Sequence, residues 1–83
     1  MPAHYNDPPK TEDEFNNWIY QNFRTACRQK HIQPSRELFM ELVDCEPNFN
    51  RMVEKLKKDL GILKTNSRIV QDIVDRFGNV NTW

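Results

Sequence analysis

Five basic side chains in the carboxyl-terminal half of the chain have the charge and spacing to contact phosphates. Arg51, Lys55 and Lys58 recur at intervals of four and three, which places them on one face of a helix. Lys64 and Arg68 flank the following turn, and Arg68 falls in the first turn of the next helix. Backbone amides at a helix start also attract anions, so we predict a positive ridge that binds a nucleic-acid backbone.

An alternative reading of the same cations is a solvated helix surface. Glu54 lies four residues before Lys58, and Lys55 lies four residues before Asp59, so both pairs can form on an exposed face. A carboxylate such as Asp72 on the next helix would repel a polyanion. The sequence leaves both readings open.

Other candidates for chemistry are weaker. Cys27 and His31 are four residues apart, but no second close pair of metal ligands supports a zinc site. The same pair lacks an orienting group and an oxyanion hole for nucleophilic catalysis. Three successive carboxylates at residues 12–14 suit the positive end of a helix better than acid–base work. We therefore predict no enzyme, no metal, no cofactor and no small-molecule substrate.

Composition narrows the partners without choosing one. The 83 residues contain 12 basic and 12 acidic side chains, so net charge favours neither nucleic acid nor membrane. The charges are unevenly placed, with a net −3 over residues 1–50 and +3 over residues 51–83. No apolar run reaches the ~18 residues of a membrane span, and two cysteines suggest no disulfide framework. We expect no membrane partner and a cytoplasmic location.

Residues 1–10 are rich in proline and polar residues and predict a flexible arm, or a loosely docked leader. A single helical domain follows over residues 11–79, and residues 80–83 form a tail whose Trp83 is either exposed or a local plug. In the first helix Thr11 is the expected cap, with Glu14 completing a capping box. An apolar stripe runs along it at helical spacing: Phe15, Trp18, Ile19, Phe23 and Ala26.

Capping and helix-breaking residues predict three further helices. Ser35 can cap the second helix, and Pro47 suits the first turn of the third. Gly61 supplies the left-handed stop of the third helix, and residue 65, 66 or 67 caps the fourth. The apolar stripes predict the core: Leu38, Phe39, Leu42, Val43, Met52, Val53, Leu56, Leu60, Ile69, Val70, Ile73, Val74 and Phe77. No stretch alternates with the period of a strand.

The fold prediction is therefore all-α, as a four-helix bundle or an orthogonal helical array. The corner between the third and fourth helices is helix–turn–helix-like, because Gly61 can turn the chain and Ile62 can plug the corner. Leu63, also apolar, is expected to pack onto the core with Ile62. The turn is longer than in the compact motif, and Lys57 occupies a position where helix packing usually needs a small residue.

The stretch "LKKDLGILKTNSR" also resembles the end of a SAM domain, in which a Leu-Gly-Ile turn precedes a basic residue that opens the final helix. Leu60, Gly61, Ile62 and Arg68 match that pattern, and the resemblance covers about a sixth of the chain. It implies a module that binds proteins or, occasionally, RNA.

Two functions follow as hypotheses. The first is a small accessory or regulatory protein that binds the phosphate backbone of DNA or RNA through Arg51, Lys55, Lys58, Lys64 and Arg68. The alternative is an adaptor that recruits or inhibits a larger complex, such as a nucleic-acid-processing assembly, through the acidic surface of the first two helices. A minor subunit of an enzyme would unite the two.

Overall fold

In the computed structural model, which describes residues 8–77, the chain forms four helices and no strand in that range. They are α1 (Glu12–Lys30), α2 (Arg36–Cys45), α3 (Pro47–Leu60) and α4 (Asn66–Phe77). The all-α prediction is confirmed. The first seven residues of the predicted arm, and the tail with Trp83, lie outside the described residues. No helix between residues 8 and 77 has both the length and the apolar composition needed to cross a bilayer.

The first two helices begin at the capping residues that the sequence predicts. The Glu14 amide donates to the Thr11 hydroxyl at 3.1 Å, and the Leu38 amide donates to the Ser35 hydroxyl at 3.1 Å. The Glu14 carboxylate accepts from the Lys10 amide at 2.8 Å, one residue earlier than in a standard capping box. These bonds satisfy amides that have no partner within the helix.

The last two helices are also capped by side chains. The Phe49 amide donates to the Glu46 carboxylate at 2.7 Å, and Pro47 occupies the first turn, where its missing N–H costs no hydrogen bond. Of the three candidates for capping α4, the structure selects Thr65, whose hydroxyl accepts from the Arg68 amide at 3.2 Å.

Two helices end in left-handed residues. Gly61 closes α3 with φ of 70°, as its position predicts, and its amide returns to carbonyls of the last turn. His31 closes α1 with φ of 56°, although it is not a glycine. Its exposed side chain leaves the helix at this point, so Cys27 and His31 do not continue along one helical face.

The helices pack so that α1 and α2 each lie against both α3 and α4. The most extensive contacts are therefore between helices that are not consecutive, except for α2 and α3. The corner between α3 and α4 is a link of residues 61–65, and α4 packs mainly on α2 and α1 rather than on α3. Ile62 packs against the core at this corner, as predicted.

The centre of the molecule is aromatic. The rings of Phe23 and Phe39 stack with centroids 4.3 Å apart, and Phe49 meets Phe39 edge-on at 6.5 Å. Tyr20 stacks on Phe77 at 4.6 Å and joins α1 to the end of α4. These rings bring all four helices into one core, whose side chains are fully or almost fully buried: Phe15, Ile19, Tyr20, Phe23, Cys27, Phe39, Val43, Phe49, Val53, Leu56, Ile69, Val70 and Ile73.

The apolar stripes predict most of this core, but several of their members pack against it only partly buried: Leu38, Leu42, Met52, Leu60, Val74 and Phe77. Leu63 is 95% exposed, so the expectation that it packs onto the core is wrong. Its neighbour Ile62 already fills the corner, and the turn directs Leu63 away. Trp18 is half-buried rather than central, whereas Tyr20 and Phe49 are buried although the predicted stripes omit them.

Candidate nucleic-acid interface

The predicted ridge begins on α3, where Arg51, Lys55 and Lys58 are all exposed, as their helical spacing requires. Lys55 pairs with Asp59 at 3.0 Å, and 73% of the lysine side chain stays accessible. Glu54 does not pair with Lys58 but lies 3.8 Å from Lys57. Among residues 8–77, neither Arg51 nor Lys58 has a carboxylate within 4.0 Å.

The remaining two cations of the ridge converge on one carboxylate. Lys64 donates to Asp72 at 2.9 Å, and the Arg68 guanidinium lies 3.2 Å from the other oxygen of the same side chain. Lys64 also donates to Glu12 at the start of α1. The Asp72 side chain is 23% exposed, which makes it the least accessible member of this group. We call Lys64, Glu12 and Asp72 the Lys64 bridge, because it joins the link before α4 to α1 and α4.

The Lys64 bridge changes the protonation of its members in the directions expected for ion pairs. The hydrogen bonds that Lys64 donates to Glu12 and, to a smaller extent, to Asp72 hold the pKa of Lys64 above its ordinary value. The hydrogen bond from Lys64 lowers the pKa of Asp72, against a smaller opposing effect of desolvation. Both groups are therefore charged at neutral pH, and the ammonium of Lys64 is directed toward two carboxylates of its own chain.

Lys57 has a structural role that the sequence does not indicate. Its side chain is largely buried, and its ammonium donates to the Asn66 side chain at 3.1 Å. The Asn66 amide in turn donates to Asp44 at the end of α2, at 3.3 Å. A residue that looked too large for helix packing thus reaches the start of α4 and links three helices.

A shallow groove lies beside the predicted ridge. Nothing in the sequence alone indicates this groove. It has a volume of about 440 Å³ and runs between α3, Trp18 of α1 and the segment before α1. Met52 and Leu56 form part of its apolar lining, and Pro9 is buried at its side. The described lining is Pro8, Pro9, Trp18, Asn48, Arg51, Met52, Lys55 and Leu56. Among residues 8–77 it therefore contains two cations and no carboxylate.

The two cysteines have different surroundings. Cys27 is buried on α1, and burial raises the pKa of its thiol despite the nearby charges of Arg24 and Lys30. Cys45 is exposed at the end of α2. Within residues 8–77, no group of three histidine, cysteine or carboxylate side chains is placed to hold a metal ion.

Comparison with known proteins adds no family to this geometry. No protein-family model, curated protein or solved structure matches the chain. The likeness of the Leu60–Ile62 turn to the end of a SAM domain remains a local resemblance.

Proposed function

We propose that this chain is a small non-enzymatic adaptor that binds a protein partner. The pairing of Lys64 and Arg68 with Asp72 is the observation that supports this choice over nucleic-acid binding. Three of the five cations predicted to contact phosphates pair with carboxylates of the chain itself, Lys55 with Asp59 and both Lys64 and Arg68 with Asp72. Replacing those carboxylates by phosphates would gain little, because a charge pair would be broken for each one formed.

The number of free cations determines how strongly salt would weaken binding of the chain to a duplex. A protein that neutralises Z phosphates loses duplex affinity with a slope of about −0.9Z in log salt, so five free cations give a loss of about 500-fold between 50 and 200 mM salt. Arg51 and Lys58 have no carboxylate partner among residues 8–77, and Lys55 can leave its exposed pair with Asp59. Two or three cations are therefore available to contact phosphates. The corresponding loss is about 10–40-fold, which is typical of weak, non-specific contact.

The second candidate function is binding to a nucleic-acid backbone through α3. It is favoured by the exposure of Arg51, Lys55 and Lys58 along one helical face. Such binding would lack base recognition, since these side chains would contact phosphates only. A charge-neutral chain would also gain little long-range attraction to a polyanion.

Fluorescence anisotropy with a 20-base-pair duplex and a 20-nucleotide oligo(dT) separates the two functions. The adaptor function predicts no saturable binding of either probe at 50 mM salt. It also predicts that tagged protein retains a partner in stoichiometric amount after nuclease treatment of the extract. Saturable duplex binding that falls about 500-fold at 200 mM salt would overturn the adaptor proposal and restore the five-cation ridge.

Charge reversals identify the face involved. If the α3 face binds nucleic acid, Lys58→Glu lowers the affinity, whereas Arg28→Glu on the exposed surface of α1 is the matched control with the same change of charge. If both variants retain the same binding of the nuclease-resistant partner, and neither probe binds, the adaptor function stands.

A further inference from the structure

We infer that the groove beside α3 binds an acidic peptide segment that carries an apolar side chain, contributed by a partner protein. We call it the Trp18 groove, after the aromatic residue in its wall. This inference rests on the proposed adaptor function and names the chemistry of the partner. It is carried by the combination of an apolar lining and two exposed cations in one concave surface, of which Arg51 has no carboxylate within 4.0 Å among residues 8–77.

The lining can take an apolar side chain. Met52 and Trp18 are half-buried and pack against the core, so their outer surfaces are held in place while remaining accessible. Methionine adapts its shape to different side chains, and tryptophan supplies a large rigid contact surface. At about 440 Å³ the groove lies within the range of ligand pockets, although it is open to solvent along its length.

The charges of the groove select an acidic occupant. Arg51 lines the groove and has no carboxylate within 4.0 Å among residues 8–77. Lys55 lies one helical turn further on and pairs with the exposed Asp59. Carboxylates that flank the apolar side chain of a peptide would meet both cations, and complementary charges of this kind determine partner choice and association rate.

The same surface fits single-stranded nucleic acid less well. Proteins that bind single strands combine a charged track with several aromatic platforms for successive bases. The described lining of the Trp18 groove offers one such ring, Trp18, and two cations. Its other apolar members are prolines and aliphatic or thioether side chains, which contact peptide side chains readily and present no flat face to a base.

The shape of the occupant follows from the helix. The lining residues of α3 are spaced by three and four positions, so the groove follows one stripe of that helix. A short amphipathic helix or an extended segment laid along α3 would place its apolar side chain against Met52 and a carboxylate against Arg51. Helices that dock in apolar grooves use anchors at this same spacing.

Selection from a phage-displayed library of random 12-residue peptides on the immobilised full chain tests this inference. The expected result is enrichment of peptides with net negative charge and at least one large apolar residue. An enriched peptide should bind Arg51→Glu about tenfold more weakly than wild type or worse. Lys58→Glu is the matched control, because Lys58 is exposed on the same helix but does not line the groove. Its affinity should change by less than about threefold, since an exposed charge outside the contact acts weakly.

A second measurement protects the result against a folding artefact. Both glutamate variants should retain the wild-type helical circular dichroism and urea midpoint, because both positions are exposed. No enrichment over a blocked surface, enrichment of neutral or basic peptides, or equal effects of the two variants would overturn the inference. Oligo(dT) binding that Arg51→Glu abolishes, or a dimer that the same variant dissociates, would assign the groove to a nucleic acid or to a second copy instead.

Binding experiments with Arg51→Glu distinguish failure of the Trp18 groove as a peptide site from failure of the adaptor function. A nuclease-resistant protein partner that binds Arg51→Glu as tightly as wild type would leave the adaptor function in place and remove only the Trp18 groove. Saturable duplex binding with a steep salt dependence would remove both.

Discussion

The Lys64 bridge provides the sharpest test of whether a predicted phosphate-binding lysine is structural. Lys64→Met removes the ammonium but keeps an unbranched apolar stem of similar length. Glu12 and Asp72 then lose the cation between them, although Arg68 still lies against Asp72. The variant therefore isolates the contribution of one side chain that joins α1 to α4.

The expected loss of stability follows from the exposure of the pairs. Exposed ion pairs contribute about 0.2–1 kcal/mol each, and the Lys64 side chain is 39% exposed, so solvent screens both of its pairs. Two such pairs give a loss of about 1 kcal/mol in the free energy of unfolding. For a domain of this size, that corresponds to a fall of about 4–8 °C in Tm.

Urea unfolding followed by circular dichroism measures this change, with Lys58→Met as the matched control. Lys58 has no carboxylate partner among the described residues, so its replacement should change the free energy of unfolding by less than about 0.5 kcal/mol. A double-mutant cycle with Glu12→Gln isolates the contact between α1 and the link before α4. Equal effects of Lys64→Met and Lys58→Met, or a coupling of zero in the cycle, would refute a structural role for Lys64.

The same bridge has a defined pH range. The folded-state pKa of Asp72 lies below 3.8, so its contribution is complete above that value and is lost as the pH falls through the lowered pKa. The folded-state pKa of Lys64 lies above 10.5, so its contribution is complete below that value and is lost as the pH rises through the raised pKa. The stability difference between wild type and Lys64→Met should therefore be constant between about pH 5 and 9.5 and shrink on both sides. A difference that varies within that window would contradict the assignment.

Three other predictions concern the core, the corner and the thiols. Phe39→Ala should lower the free energy of unfolding by about 3–5 kcal/mol in urea titrations, because its buried ring contacts two others, whereas Leu63→Ala should change it by less than about 0.5 kcal/mol. Gly61→Ala should lower the free energy of unfolding by about 1–2 kcal/mol, because φ is 70° and a side chain is strained there. No atom lies within 4 Å of the added Cβ, so this cost is conformational and not a clash, and an unchanged urea midpoint would contradict it. Iodoacetamide should modify Cys45 in the native protein and reach Cys27 only with denaturant, as mass spectrometry of the alkylated chain would show; equal rates would contradict the burial of Cys27.

Local signals in the sequence were sufficient for the four helices and for several of their limits. Thr11, Ser35 and Gly61 act within one turn of their own position, so their hydroxyls or backbone conformation determine where a helix starts or stops. The apolar stripes depend on the helical repeat alone and therefore predicted most of the core. Phe49 was missed although it continues the same stripe of α3, four residues before Val53 and seven before Leu56.

The outcome for the cations depended on contacts that no local pattern contains. Glu12 is 52 residues from Lys64 in sequence, and the two meet because α1 packs against α4. The pairing of Lys55 with Asp59 was predictable from spacing, since both lie on one helix. By contrast, Glu54 lies 3.8 Å from Lys57 instead of pairing with Lys58 as its spacing suggested. The ammonium of Lys57 is also bonded to Asn66 of α4, a contact that the sequence does not indicate.

The sequence by itself thus determined the secondary structure, most of the buried side chains and the exposure of Arg51, Lys55 and Lys58, because each follows from the 3.6-residue repeat and from caps within one turn. Tertiary structure alone decided that Lys64 pairs with Glu12 and Asp72 and where a concave surface forms. Both depend on which helices lie side by side. The Trp18 groove exists because α1 and the segment before it pack beside α3, which brings Pro9 and Trp18 within reach of Met52.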